Sequence, residues 1–384
     1  MKIAFLTPEY PHPKVNTSAG IGTSIKNLVE ALVAKNIEVT IFVYHQESYT
    51  VIKEKGVTIH LIAKKSYKYC TWYFYRKHLQ NYINAVITRE NISIIEAPDW
   101  TGITMFTKFS VPLVIRFHGT DAYFCKLEKR KQKFKNFVFE KMAFKKASAY
   151  ISPTNFTKEE TAKLFSLAPN KINVIANGID LENFQNKTPN MFTPKTLLYI
   201  GTVIRKKGVL ELAKVFNKVI EKEPNAKLIL IGSDAVDIRK GVSTYKLMQD
   251  IFSDKAKAST NYLGKVSYAE ITTHIKNAHV CVFPSFAETF GMVTVESMAL
   301  QKPVVNTSIG WAQEIIDDGV NGYLLHPKET ELYVEKIITL FDDRDLSVKI
   351  GKSARKKVEK KFNIDLIVEE NISFYKKVIS KNNY

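Results

Sequence analysis

Apolar and polar residues alternate along the chain in blocks that predict strands followed by helices. Short apolar runs are typical of buried strands, and several are followed by segments in which apolar residues recur every three or four positions. In the first half the pattern predicts strands at 3–6, 39–44, 57–62, 92–96, 112–117, 149–152 and 172–176. The helix after the first strand places Ile25, Leu28 and Leu32 on one apolar face. Strands that alternate with helices in this way indicate a parallel sheet.

The same rhythm restarts after a polar segment without periodicity, Gln185 to Thr196, which contains two prolines. Strands are then predicted at 197–200, 228–231, 261–263, 279–283, 303–305 and 321–325, and helices at 208–221, 269–277, 293–300, 330–342 and 346–361. We therefore predict an α/β protein with two Rossmann-like, parallel-sheet domains that face a deep cleft. Their predicted bounds are 1–184 and 197–365, with residues 185–196 as the linker.

Length and composition agree with two soluble globular domains. The chain has 384 residues, of which 45% are hydrophobic and 24% charged. No apolar run approaches the ~20 residues of a membrane span, and the N-terminal run is too short for a signal-peptide core. Cys70, Cys125 and Cys281 are far apart and predict neither a disulfide framework nor a zinc site. These features predict a cytoplasmic protein.

The net charge of +18 predicts an anionic partner. Residues 1–180 contain 26 lysines and arginines against 14 acidic residues, giving +12, and the remainder contains 30 against 24, giving +6. Lys126 to Lys146 alone holds nine basic residues and two glutamates, with Leu127, Phe134 and Met142 on one helical face. Such a helix could lie on an anionic membrane surface, or it could pack on its own domain as a solvated, charged helix.

An aromatic stretch precedes this basic segment. Six aromatic residues fall between Tyr67 and Tyr75, and basic residues stand at both ends of the stretch. The pattern fits a helix that buries several of the rings. It also fits a wall that binds an acceptor, or a belt of amphipathic rings at a membrane interface.

Groups suited to anion binding follow successive strands of the second half. Arg, Lys and Lys occupy positions 205–207 after the first of these strands, and glycine turns follow the next two at Gly232 and Gly264. Because strand ends converge on one crevice in a doubly wound sheet, these groups should meet there. Lysines can neutralise a diphosphate, and backbone amides near Gly291, at a helix start, can bind it as well.

Two glutamates, Glu288 and Glu296, frame the loop and helix that follow the strand at 279–283. On one helix they would lie ~12 Å apart along the axis and ~80° apart around it, too far to share a small ligand easily. We therefore place Glu288 in the loop and Glu296 in the helix, where both carboxylates can face the crevice. A helical carboxylate such as Glu296 suits paired ribose hydroxyls, so the predicted ligand is a nucleotide with a diphosphate and a hydroxyl-rich group.

Two features of the first half stay open on pattern alone. Gly20 and Gly22 at a helix start would let backbone amides approach an anion, or would form a structural turn. His118 at a strand end would take part in chemistry, or would be a histidine with a purely structural role.

The order of these segments resembles that of the retaining, nucleotide-sugar-dependent glycosyltransferases of family 4, which have the GT-B fold. The matching segments are TPEYP, AGIGTSIKNL, FHGTDAY, ISPTNFTKEE, INVIANGID, YIGTVIRKKGVLEL, LILIGSD, NYLGKV, VFPSFAETFGMVTVESMAL and KPVVNTSIGWAQEIIDDGVNGYLL, which span about residues 1–325. The resemblance implies sugar transfer from a nucleotide-diphosphate sugar, with a UDP- or GDP-sugar expected, to a glycan or lipid-linked acceptor. It also implies a role in cell-envelope or surface polysaccharide synthesis, and a last helix, about 366–384, that returns to the first domain.

The resemblance further implies roles for single residues. His118 and Glu288 would be the catalytic residues, beside the donor sugar. The other implied donor residues are Gly22, Arg205, Lys207, Gly291, Met292 and Val293 for the diphosphate, Glu296 for the ribose, and Gly264 and Val266 for the base. No cofactor and no metal are implied, because arginine and lysine take the electrostatic role of a metal in this fold.

One position departs from the family pattern. The family has an arginine five residues before the diphosphate lysine, and this chain has Thr202 there. We expect Arg205, three residues later, to replace it. Since no carboxylate is a convincing nucleophile, we expect attack on the face that the leaving group vacates, although a double displacement stays open.

Other functions fit parts of the pattern. A sugar-nucleotide epimerase or a sugar phosphorylase would share the fold. The charge and the aromatic stretch also fit a nucleic-acid-binding protein, whose affinity would fall steeply with salt, although no recognised nucleic-acid module is present. A catalytically silent member of the family could bind membrane through Lys126 to Lys146. We predict the glycosyltransferase, without a nucleic-acid partner, in the cytoplasm or peripheral at the inner face of the cell membrane.

Overall fold

The computed structural model describes residues 1–16 and 20–382 of the chain. Residues 17–19, in the predicted glycine turn before the first helix, and 383–384, at the end of the predicted last helix, lie outside the described residues. The chain forms two compact units, each of which is described by itself. The first unit comprises Met1–Ile179 and Ile364–Tyr384, and the second comprises Asp180–Asn363. The segment predicted as a linker, 185–196, thus belongs to the second unit.

The first unit is an eight-stranded sheet with helices on both faces. Its strands are β1 (Lys2–Thr7), β2 (Glu38–Gln46), β3 (Thr50–Glu54), β4 (Val57–Ala63), β5 (Ile94–Pro98), β6 (Leu113–Arg116), β7 (Ala149–Ser152) and β8 (Ile172–Val174). Its helices are α1 (Gly20–Ala34), α2 (Thr71–Glu90), α3 (Asp121–Leu127), α4 (Phe134–Phe144), α5 (Asn155–Phe165) and α14 (Ile364–Asn382). One apolar cluster joins the sheet to α1 and α14, and a second joins it to α2, α4 and α5.

The sheet order in this unit is β3-β4-β2-β1-β5-β6-β7-β8. All neighbouring strands are parallel except β3, which pairs with β4 antiparallel at the edge. The predicted parallel sheet is therefore confirmed for seven of the eight strands, and β3 adds an antiparallel edge strand that the pattern did not predict. The pattern missed β3 because an edge strand needs few apolar residues, and only Ile52 of this strand is buried.

The basic segment at 126–146 is not one helix. Thr120 caps α3 by accepting a hydrogen bond from the backbone amide of Tyr123, and α3 ends at Leu127. A non-helical stretch then leads to α4, in which the buried residues include Ala143 and Phe144. Phe134, which was placed on the predicted apolar stripe, is 81% exposed. The sequence periodicity failed here because apolar residues on both sides of the break happened to keep helical spacing.

The second unit is a six-stranded, fully parallel sheet in the order β11-β10-β9-β12-β13-β14. Its strands are β9 (Thr196–Ile200), β10 (Lys227–Ile231), β11 (Thr260–Tyr262), β12 (Val280–Phe283), β13 (Val304–Thr307) and β14 (Tyr323–Leu325). Its helices are α6 (Val209–Lys222), α7 (Thr244–Ile251), α8 (Asp254–Ala258), α9 (Tyr268–Asn277), α10 (Met292–Ala299), α11 (Trp311–Ile315), α12 (Thr330–Asp342) and α13 (Arg344–Lys361).

The strand order reverses beside β9, which pairs with β10 on one side and with β12 on the other. Ligands of open α/β sheets bind outside the carboxyl ends of the strands at such a reversal. The loops that leave β9 and β12 therefore mark the first place to look for a site. These loops carry Lys207 and Glu288, respectively.

Candidate active site

The loops after β9 and β12 are in direct contact. Lys207 ends a short 3₁₀ turn, and Gly208 follows it with φ of +70° as the N-cap of α6. A side chain at Gly208 would collide with the backbone carbonyl of Pro284, so only glycine allows the two loops to meet this closely. As a result Nζ of Lys207 forms an ion pair with Oε1 of Glu288.

Four of the predicted donor residues line one cavity in the second unit, namely Lys207, Glu288, Gly291 and Val293. Trp311 and Asn306 also line it, and sequence reasoning missed both. The strand-end rule could have identified Asn306, since this residue lies near the end of β13, the strand next to β12. Its side-chain amide donates to Oγ1 of Thr294 at 2.9 Å and so holds the first turn of α10.

The N-terminus of α10 faces this cavity. Gly291 is the N-cap with φ of +92°, a left-handed conformation that favours glycine, and it has no side chain with which to cap the helix. Met292 and Val293 are the first two residues of α10, so their amides belong to the helix end that has no intrahelical acceptor. Such amides and the helix dipole favour an anion.

Two opposing effects act on the pKa of Lys207. Its side chain is 20% exposed, and burial, together with the neighbouring Lys206, lowers the pKa of Lys207 to about 7. The carboxylate of Glu288 acts in the opposite direction, because a negative group in contact favours the ammonium form.

Glu296 lies within α10, as the sequence predicted, and is 2% exposed. The hydroxyl of Tyr268 donates a hydrogen bond to Oε1 of Glu296 at 2.8 Å. Burial raises the pKa of Glu296 to about 7, and the tyrosine hydrogen bond opposes that rise. Gly264 and Val266 lie in the turn between β11 and α9, the helix that Tyr268 begins.

Arg205 is bound to a residue that the sequence did not single out. Its Nε donates to Oδ2 of Asp237 at 2.6 Å, and Asp237 is fully buried. Oδ1 of Asp237 accepts from the backbone amides of Arg239 and Lys240, so the carboxylate is fixed. This hydrogen bond raises the pKa of Arg205 and lowers that of Asp237. Thr202, at the position of the family arginine, accepts a hydrogen bond from the hydroxyl of Tyr199 through its backbone carbonyl at 3.0 Å.

In the first unit, His118 follows β6 and is held through its backbone. The amides of His118 and Gly119 donate to Oδ1 and Oδ2 of Asp99 at 2.8 and 3.3 Å. Burial, followed by the nearby Arg116, lowers the pKa of His118 to about 3. Its imidazole is therefore neutral at pH 7. Sequence reasoning missed the role of Asp99, although its position directly after β5 was a signal.

Gly22, in the first turn of α1, already binds a carboxylate. Its amide donates to Oε1 of Glu9 at 2.8 Å. A carboxylate oxygen at a helix N-terminus stands in for the oxygen of a phosphate. The first turn of α1 thus offers an amide to an anion, and in this structure that anion belongs to the chain itself.

The described residues contain no group of three or more histidine, cysteine, aspartate or glutamate side chains that could hold a metal ion. In the same part of the chain no helix is long and apolar enough to cross a membrane.

Two α/β units with this strand order, and an anion-suited site at the reversal of the second sheet, define a GT-B type of protein. Residues 18–183 match the family model Glycosyltransferase Family 4, and residues 180–357 match Glycosyl transferases group 1. The chain therefore belongs to the glycosyltransferases that these two models describe, family 4 and group 1. The predicted family and the predicted GT-B fold are therefore confirmed, with the exception of the antiparallel edge strand β3.

Known proteins similar to this chain agree with that assignment. The uncharacterized glycosyltransferase MJ1607 of Methanocaldococcus jannaschii is 26% identical, with 98% of each chain covered. The capsular polysaccharide biosynthesis glycosyltransferase CapM of Staphylococcus aureus is 30% identical over 63% of this chain and 66% of CapM. The crystal structure of HepE from Anabaena in complex with UDP-glucose has the same fold. Its TM-score is 0.70 at 19% identity, with 97% of this chain and 99% of HepE covered.

Proposed function

We propose that this glycosyltransferase moves a sugar, with retention, from a nucleotide-diphosphate sugar to a glycan or lipid-linked acceptor of a surface polysaccharide. The observation that carries the proposal is the cavity that joins Lys207, Glu288 and the start of α10. A cation, a carboxylate and helix amides in one cavity match the diphosphate and the hydroxyl groups of such a donor. HepE binds UDP-glucose and CapM takes part in capsular polysaccharide synthesis, which supports a UDP-sugar donor and a glycan acceptor.

In this proposal Lys207 and the α10 amides carry the leaving diphosphate. Negative charge builds up on the diphosphate as the bond from the sugar carbon to the phosphate oxygen breaks. Positive groups that are already in place stabilise this charge and lower the barrier. Arg205, oriented by Asp237, supplies a second positive charge in the same unit. With these cations, we propose that transfer needs neither a bound metal nor a cofactor.

The two glutamates then have separate roles. Glu288 leaves Lys207 when the diphosphate arrives and accepts hydrogen bonds from the donor sugar. Glu296 accepts hydrogen bonds from the ribose, and the turn with Gly264 and Val266 contacts the base. The acceptor oxygen bonds to the sugar carbon on the face that the diphosphate leaves, and its proton passes to the departing phosphate oxygen. For His118, which is neutral at pH 7, we propose a hydrogen-bonding role in catalysis.

The donor prediction is tested with a panel of UDP, GDP, ADP and TDP and their glucose conjugates, measured by thermal shift and calorimetry. We expect UDP and UDP-glucose to raise the melting temperature, because a ligand at 100 times its Kd adds about 2.7 kcal/mol of stability. The anomeric configuration of the product, read by NMR, tests retention. Failure of every nucleotide to bind would refute the proposal. Epimerisation of a UDP-sugar in the absence of an acceptor would instead indicate a sugar-nucleotide epimerase. Phosphate-dependent cleavage of a glycan would indicate a sugar phosphorylase.

We also propose that the first unit docks on an anionic membrane surface, where a lipid-linked acceptor would be found. Trp72 of α2 packs on Phe139 of α4 with ring centroids 5.3 Å apart, and Nζ of Lys135 lies over both rings. The two segments therefore form one surface, here called the aromatic–basic face. Large exposed aromatic residues of the two segments are Tyr69, Trp72, Phe74 and Phe134, of which Trp72 lies at the contact between them. Exposed rings beside lysines suit the interface of an anionic bilayer.

Cosedimentation with vesicles that contain 30% phosphatidylglycerol tests the docking. We expect replacement of Lys129, Lys131, Lys133 and Lys135 by glutamine to weaken binding at least tenfold, because each lysine near such a surface contributes about 1 kcal/mol. Arg130 is left intact because it pairs with Asp121 and Glu128 within its own unit. The matched control removes four exposed lysines of α13, at 349, 352, 356 and 360. If both variants lose the same amount of vesicle binding, or if neither loses any, the aromatic–basic face is not the docking surface.

A further inference from the structure

We infer that Tyr268 is a positioning residue of the donor site, whose hydroxyl fixes the Glu296 carboxylate for the ribose of the nucleotide. The inference rests on the proposed function, since it assumes a nucleotide donor. Neither the spacing of the two glutamates nor the resemblance to the family involves Tyr268. The role of Tyr268 is inferred from one contact between α9 and α10, the hydrogen bond of 2.8 Å that the phenol donates to Oε1 of Glu296.

Tyr268 is placed by a rigid helix start. Ser267 and Glu270 form a capping box, in which each side chain bonds the backbone amide of the other. The box fixes Tyr268 as the first residue of α9, only two positions after Val266 in the turn assigned to the base. Its ring packs edge-on to Phe184 with centroids 6.2 Å apart, and yet the residue stays 44% exposed. A fixed and accessible phenol next to a ligand site is suited to orient a neighbour.

Glu296 needs such a partner because its side chain is buried, with only 2% of the residue exposed. Among the described residues, Tyr268 is the hydrogen-bond donor to this carboxylate. A buried carboxylate without a donor would lose solvation without compensation. With Oε1 held by the phenol, the plane of the carboxylate is set, and Oε2 can accept a ribose hydroxyl.

The same contact predicts a pH effect. Burial raises the pKa of Glu296 to about 7, and Tyr268 opposes the rise because it bonds to the ionised form. Two basic groups of α13, the helix that packs against α10, are engaged elsewhere. Arg355 bonds to the carbonyls of Phe184 and Ala299, and Lys357 pairs with Asp317. Loss of the phenol should therefore raise the pKa of Glu296 further. Binding that needs the carboxylate is present above this pKa and disappears as the pH falls through it.

The test compares Tyr268→Phe with the wild type, using UDP as the probe in calorimetry between pH 5.5 and 8.5. We expect about tenfold weaker UDP binding at pH 7 and an acid limb displaced upward by about half a pH unit or more. Binding of inorganic pyrophosphate should stay within twofold, because the diphosphate groups at Lys207 are untouched. The matched control is Tyr323→Phe on β14, which should leave UDP affinity and its pH profile unchanged.

The outcomes separate the inference from the proposed function. If the wild type fails to bind UDP, the UDP-donor proposal fails, and the inference fails with it. If the wild type binds UDP and Tyr268→Phe binds it equally well with the same acid limb, only the inference is overturned. A lower melting temperature with an equal loss of pyrophosphate binding would show general damage and would also count against the positioning role.

Discussion

Replacement of Lys207 by alanine is expected to lower kcat/KM at least a hundredfold, which corresponds to ~2.7 kcal/mol of transition-state stabilisation. Removal of one preorganised donor from a charge-stabilising site typically has an effect of this size. We assign this role to Lys207 because it lies at the strand reversal of the second sheet, in contact with Glu288 and in the same cavity as the start of α10. Steady-state kinetics with the donor identified by the nucleotide panel provide the measurement.

Because Lys207 is paired with Glu288, a loss of activity in Lys207→Ala has two candidate causes. Lys207→Ala also leaves a partly buried carboxylate without its cation, which is costly by itself. Calorimetry with UDP resolves the ambiguity. We expect Lys207→Ala to weaken UDP at least tenfold, whereas Glu288→Ala should keep UDP affinity within about threefold and lose mainly kcat. Lys214→Ala, at an exposed position of α6, is the control. Unchanged UDP affinity in Lys207→Ala would show that Lys207 serves the ion pair alone.

The sequence was sufficient for the features that depend on local pattern. The buried parallel strands appear as continuous apolar runs because helices cover both faces of their sheets. The rule that ligands bind at strand ends placed Lys207 and Glu288 near each other before any contact was known. The shift from loop to helix between Glu288 and Glu296 followed from helix geometry and from the expectation that both carboxylates face one ligand. The family model matches and the GT-B fold agree with this part of the reasoning.

The features that depend on distant contacts could not be predicted. Tyr268 and Glu296 are 28 positions apart, and Arg205 and Asp237 are 32 apart. No spacing rule relates such pairs, because their contact depends on how neighbouring elements pack. The same limit applies to Glu9, whose carboxylate lies at the amide that was assigned to a phosphate. Periodicity also misled at 126–146, where apolar residues keep helical spacing in the sequence although one helix ends at Leu127 and the next begins at Phe134.

Deletion of α14 after Asn363 is expected to abolish the folding of the first unit, although the helix lies at the far end of the sequence. Its buried apolar residues are Ile364, Ile367, Val368, Ile372, Phe374, Tyr375 and Val378. At about 1.5–3 kcal/mol for each buried side chain, their loss is on the order of 10 kcal/mol. That amount is comparable with the whole stability of a typical domain. Circular dichroism and calorimetry should show loss of the unfolding transition of the first unit and retention of that of the second.

The polar groups of α14 explain why the cost exceeds the lost apolar contacts. Glu96 and Arg116 form a buried ion pair at 2.7 Å, and α14 completes its hydrogen bonds. Asn371 accepts from Arg116 at 2.6 Å, and the hydroxyl of Tyr375 donates to Glu96 at 2.6 Å. Without the helix these charges would lose partners in an apolar interior. Tyr375→Phe isolates this effect, and we expect it to cost about 1–3 kcal/mol in the first unit. Lys376→Ala on the exposed side of α14 should change nothing, and a truncated chain that keeps both transitions would refute the prediction.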